Sequence, residues 1–113
     1  MPDCVFCQIV VGSILSDPVF ENEEIIAFRD INPKAPTHIL VVPKKHIPSL
    51  ASVMPEDEGL LGRMLLVARQ IAEDEGLTGT GFRVIINNGL EAGQEVDHIH
   101  IHLLGGRKLG VMG

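Results

Sequence analysis

The alternation of apolar and polar positions divides the chain into a short helix, five strands and one long helix. Residues 4–11 (CVFCQIVV) fit a short helix closed by Gly12. Residues 19–22 and 25–29 read as two short strands, with Asn22-Glu23-Glu24 as the turn between them. Asn32-Pro33 and Ala35-Pro36 interrupt the pattern. Residues 37–42 (THILVV) then form a β-branched run that stops at Pro43. The longest periodic stretch covers residues 55–75. Leu60, Leu61, Met64, Leu65, Ala68, Ile71 and Ala72 recur there at helical spacing on one face. Pro55 suits the first helical position, Glu56, Asp57 and Glu58 complement the helix dipole, and Gly76 supplies a stop. Residues 82–87 (FRVIIN) and 97–104 (DHIHIHLL) are two further strands around a polar, glycine-bearing loop. Strands, one long helix and strands again predict an α+β fold with an antiparallel five-stranded sheet, because most of the connections are too short for parallel crossovers.

At 113 residues the chain has the length of one domain with one core, and a hydrophobic content of 45% is that of a globular protein. The net charge of −6 argues against an extended nucleic-acid-binding face, though a single nucleotide needs only a local pocket. No apolar run is long enough to span a membrane, and Met1-Pro2-Asp3-Cys4 lacks the basic start of an export signal, so a cytoplasmic protein is expected. Cys4 and Cys7 are too close in sequence to staple a fold; they read as reduced thiols, a redox pair or metal ligands.

Most of the candidate chemistry lies in His98-Ile99-His100-Ile101-His102, which holds three of the five histidines. On a strand of period two the imidazoles share one face, roughly 6.5–7 Å apart at Cα, while the isoleucines enter the core. Imidazole titrates nearest neutrality and serves as nucleophile, acid, base or metal ligand.

Taken to Leu104, this segment resembles the signature of the histidine triad family: His, apolar, His, apolar, His, apolar, apolar. Residues 28–33 (FRDINP), 35–40 (APTHIL), 43–47 (PKKHI) and 93–96 (GQEV) resemble further blocks of that family in the same order, so the likeness spans essentially the whole chain. The third histidine, His102, points to the Hint-like nucleotide-binding phosphoramidase branch, because the dinucleoside-polyphosphate hydrolases carry Gln there.

The resemblance implies a homodimer with joined sheets and a hydrolase for purine nucleoside 5′-phosphoramidates of the adenosine 5′-monophosphoramidate type. His100 would attack the α-phosphorus to give a nucleotidyl-imidazole, and water would release the monophosphate. By the same resemblance His38 helps to position or polarise His100, His98 belongs to the catalytic set as an orienting residue beside His100, and His102 either assists proton transfer to the leaving group or orients by a hydrogen bond. Asp30 takes the ribose hydroxyls, and Asn87 contacts the phosphate or leaving group. Phe6, Ile9, Phe28, Ile31 and Leu40 form the base pocket, while Gly93, Gln94 and Val96 belong to the phosphate-side loop. Glu95 stands where some family members carry Ser, and a carboxylate there repels phosphate, so only its main-chain amide suits that contact.

Cys4-x-x-Cys7 supplies two of the four ligands that a structural zinc needs, and His46 and His98 can supply the others. Zinc-bearing members of the family use such a set. Such a Zn²⁺ would stabilise the small domain and fix His98 while leaving His100 and His102 free. Two other functions stay open on the sequence: a nucleotide-binding scaffold with incidental hydrolysis, and a histidine-and-cysteine metal carrier.

Overall fold

The computed structural model describes residues 4–113, so the reading of Met1–Asp3 as lacking an export signal falls outside the described residues. Helix α1 (Val5–Val10) is followed by β1 (Pro18–Glu21), β2 (Ile25–Arg29) and β3 (Thr37–Pro43). Helix α2 (Glu58–Asp74), β4 (Phe82–Ile85) and β5 (Ile101–Gly105) complete the fold. The five strands form one sheet in the order β1-β2-β3-β5-β4, with every neighbouring pair antiparallel. The α+β architecture expected from the pattern is the one observed. Among the described residues no helix is long and apolar enough to cross a membrane.

Strand alternation sorts the sheet into two faces. Ile25 and Ala27 of β2, Ile39 and Val41 of β3, and Ile101 and Leu103 of β5 meet the buried side of α2, namely Leu60, Met64, Ala68, Ile71 and Ala72. The opposite face carries Ile26, Phe28, Leu40 and Val42, against which α1 packs Phe6. With β3 and β5 paired Leu40 to His102, every second residue of β5 faces away from α2. The site therefore forms on the α1 face.

Three expectations are corrected. The long helix begins with a 3₁₀ turn at Pro55–Asp57, and α2 proper starts at Glu58. Its apolar stripe is narrower than predicted: Leu61 is only partly buried and Leu65 is 49% exposed, because it lies at the edge of the arc that meets the sheet. The last strand starts at Ile101 rather than at Asp97. Its pairing with β3 ends at Val41–Ile101 and with β4 at Ile85–His102. Residues 98–100 have left both ladders, and the amide of Ile99 donates to Ile47 O at 2.7 Å instead. Ile99 still buries beside Ile101 and Leu103.

Candidate active site

Because residues 98–100 leave the sheet, the three histidines separate. His100 and His102 line a cleft of about 530 Å³ between α1, the sheet and the loop before β5. His98 does not line it; it is fully buried, and its ring faces Cys4, Cys7 and His46. That volume lies within the range of small-molecule sites.

His100 is oriented from behind. Its Nδ1 lies 2.7 Å from His98 O. A carbonyl only accepts, so Nδ1 carries the proton and Nε2 keeps its lone pair. The Phe6 ring meets the imidazole edge to face, with centroids 5.0 Å apart and planes at 89°. Burial pushes the His100 pKa below the usual histidine value, more strongly than the nearby charges of Asp30 and Glu95 raise it. The ring is therefore a neutral base at pH 7.

His38 and His102 sit diagonally across β3 and β5, which brings His38 Nε2 to 2.9 Å from His102 Nδ1 and 3.4 Å from Asp30 Oδ2. Burial lowers the pKa of both, that of His102 to about 4 with the help of His100 and His38. Asp30 also accepts the Asn32 amide at 2.8 Å, which fixes the turn leaving β2.

The other predicted residues divide. Phe6, Ile9, Phe28, Leu40 and Val96 form the apolar wall of the cleft, whereas Ile31, 91% exposed, stands at its rim. Asn87 and Gly93 line it as well. Asn87 Nδ2 donates to Ala92 O at 2.7 Å, and Gly93 takes φ +82°, a conformation that favours glycine. Gln94 is turned away. Its Oε1 accepts the Gly89 amide, and its Nε2 donates to Pro48 O and Val96 O, so its side chain braces the loop.

Several lining residues were not singled out from the sequence. Ile14, Leu15 and Ser16 also line the cleft, and the Lys34 amide meets His38. The signal for the first group was present: Ile14 and Leu15 are apolar, yet they lie in a loop between Gly12 and Asp17, where no periodic core face claims them.

The second constellation is the set of Cys4, Cys7, His46 and His98, whose ligand atoms all lie within 4.8 Å of one another. Cys4 caps α1, its Sγ accepting the Cys7 amide at 3.3 Å. His98 Nε2 donates to Pro43 O at 2.7 Å, which leaves the Nδ1 lone pair directed at the thiols and at His46 Nδ1. The cluster can hold a metal ion.

The HIT domain model matches residues 11–109. The chain is 50% identical over 110 residues to the purine nucleoside phosphoramidase of Escherichia coli strain K12, covering 97% of this chain and 92% of that one. A HIT family hydrolase from Legionella pneumophila Philadelphia 1 superposes with a TM-score of 0.94 at 48% identity, over 96% of both chains. A histidine triad protein from Clostridium difficile gives 0.95 at 45% identity, over 100% of this chain and 98% of the other. Match, identity and shared fold together show that the chain belongs to the HIT domain family.

Proposed function

We propose that this protein hydrolyses the P–N bond of purine nucleoside 5′-phosphoramidates through a covalent nucleotidyl-histidine intermediate on His100. The observation that carries the reading is the bond from His100 Nδ1–H to His98 O, which directs a neutral Nε2 lone pair away from the backbone in a ring that borders the cleft. The 50% identical relative that is named a purine nucleoside phosphoramidase supports the substrate class.

In the first step Nε2 attacks the α-phosphorus. The P–Nε2 bond forms as the P–N bond breaks, and the amine departs with a proton taken from water at the mouth of the cleft. In the second step water attacks the phosphoimidazolium, P–Nε2 breaks, the proton lost by the attacking water neutralises the hydroxide left by the first step, and the nucleoside monophosphate leaves with the imidazole restored. The base lies against Phe6, Ile9, Phe28 and Leu40, and the phosphate lies beside His100, His102, Gly93 and Asn87. Asp30 takes the ribose hydroxyls. A substrate lacking the hydroxyls should therefore bind the parent more weakly by about 1.5–3 kcal/mol, roughly 10- to 150-fold, for each bond to the carboxylate that is lost. Asp30→Ala should erase the difference. Equal KM values for ribo and dideoxy substrates in the parent would remove the assignment.

The ion at the Cys-His cluster is Zn²⁺ in this reading. Tetrahedral bonds of about 2.0–2.1 Å to nitrogen and 2.3 Å to sulfur set ligand atoms roughly 3.3 Å apart for N···N and 3.6 Å for N···S. The cluster has 3.2 Å between the two Nδ1 atoms and 3.2–3.6 Å between nitrogen and sulfur. With four protein ligands there is no open position, so the metal's contribution is structural. It holds α1, which carries Phe6, and the segment whose carbonyl orients His100.

The working unit is a homodimer in this reading. β4 is an open sheet edge with Phe82 and Val84 over a third exposed, which suits continuation of the sheet into a second copy. Light scattering at micromolar concentration should give twice the 12.3 kDa chain mass, and a clean monomer would refute the assembly.

A further inference from the structure

His38, His102 and Asp30 form a second group whose ligand atoms lie within 4.8 Å of one another, which on distance alone resembles a metal site. The hydrogen bonds assign it differently. The main-chain amide of Lys34 lies 3.0 Å from His38 Nδ1 and can only donate, so Nδ1 holds a lone pair and the proton of the neutral ring is on Nε2. A metal at Nε2 would force that proton onto Nδ1, against the Lys34 N–H.

The assignment propagates one residue further. His38 Nε2–H points at His102 Nδ1, 2.9 Å away, so that atom must accept. The proton of His102 is then on Nε2, the nitrogen turned away from His38 in a ring that borders the cleft. His102 Nε2 has no hydrogen-bond partner among the described residues, and no buried polar side-chain atom among them lacks one, so it is open to a ligand.

We infer that the main-chain amide of Lys34 fixes the tautomers of His38 and His102 in series and thereby makes His102 a neutral hydrogen-bond donor to a non-bridging phosphoryl oxygen. This rests on the phosphoramidase reading above. The His102 N–H stabilises charge that grows on the phosphoryl oxygen as Nε2 of His100 closes on phosphorus. It does not protonate the amine, whose proton comes from water. The low pKa of His102, about 4, agrees with a ring that stays neutral throughout. Asp30, 3.4 Å from His38 Nε2, steadies the donor in the middle of the series. Lys34 acts through two rings and is a positioning residue; His102 is the group that touches substrate.

Long-range ¹H–¹⁵N NMR of the histidine rings at pH 7 tests the assignment directly. His38 and His102 should both be Nε2–H tautomers, and His100 should be Nδ1–H. An Nδ1–H or charged His102 would overturn it. Kinetics with an adenosine phosphoramidate supply the second arm. His102→Ala removes the donor and should lower kcat by about 10²-fold, as loss of one such donor does elsewhere. His102→Gln supplies a neutral N–H without acid strength and should recover at least about tenfold of that loss, whereas a general acid at this position would leave Gln as poor as Ala. Replacing the Lys34 amide by an ester, which deletes only the N–H, should mix the tautomers and lower kcat with little change in KM. Unchanged tautomers in the ester protein would refute the role of Lys34. A wrong substrate class shows instead as a parent without turnover, and the NMR arm still decides the tautomers.

Discussion

His100→Ala should lower phosphoramidate hydrolysis by at least ~10⁴-fold, because removing a covalent nucleophile takes away the reaction path and not merely a contact. Binding of a nucleoside monophosphate should survive. The apolar wall, Asp30 and the loop at Gly93 do not depend on the His100 ring for their positions: Asp30 is held by the Asn32 amide, and the loop is braced by Gln94. The variant loses the edge-to-face contact with Phe6, so a small drop in stability is expected. Single-turnover rates, titration with AMP and circular dichroism separate the three quantities. A variant within a few-fold of the parent rate would exclude His100 as nucleophile.

Removal of the proposed zinc should produce the second large effect, on stability. The described fold packs one hydrophobic cluster on each face of a single sheet, and its Cys-His cluster links three distant segments, at residues 4–7, 46 and 98. Without an ion, two thiols and two imidazoles crowd together at 3.2–3.6 Å with no cation between them. Burial and the neighbouring Cys4 push the Cys7 thiol up, so without an ion that thiol keeps its proton and offers no charge to the imidazoles beside it. Chelation should lower the melting temperature by roughly 10–20 °C, corresponding to a few kcal/mol for a domain of this size. Cys4→Ser with Cys7→Ser should reproduce that loss, and chelator should then add nothing. Turnover by the molecules still folded should fall far less, because a four-ligand site has no position for a reacting water. Absence of zinc from protein purified without chelator, with unchanged melting of the double variant, would refute the site.

What the sequence made legible follows from periodicity. Ile25 to Arg29 and Thr37 to Val42 alternate between two buried faces, so their strands were plain, and the spacing from Leu60 to Ala72 found α2. The motif placed His100 and His102 on one face correctly, because Ile99, Ile101 and Leu103 demand the other. It did not show where the ladder ends. That depends on how far β3 and β4 reach, and His98 consequently leaves the triad's common face for the cysteine cluster. Leu65 has core spacing yet is 49% exposed, because period alone does not report how wide an arc of α2 the sheet covers. Gln94 lies in a motif block yet turns its amide to Pro48 and Val96, a choice set by tertiary neighbours. The Lys34 amide was invisible for a plainer reason: main-chain donors have no residue signature.

The proposed reaction passes through a covalent bond between His100 and the nucleotide. Rapid mixing of enzyme with adenosine 5′-phosphoramidate, alkaline quench within the first turnover and intact mass measurement should reveal a chain heavier by one adenylyl group. Peptide fragmentation should place it on His100, and the species should vanish in His100→Ala. Turnover with no adduct at any time point, or an adduct carried by another residue, would contradict the account.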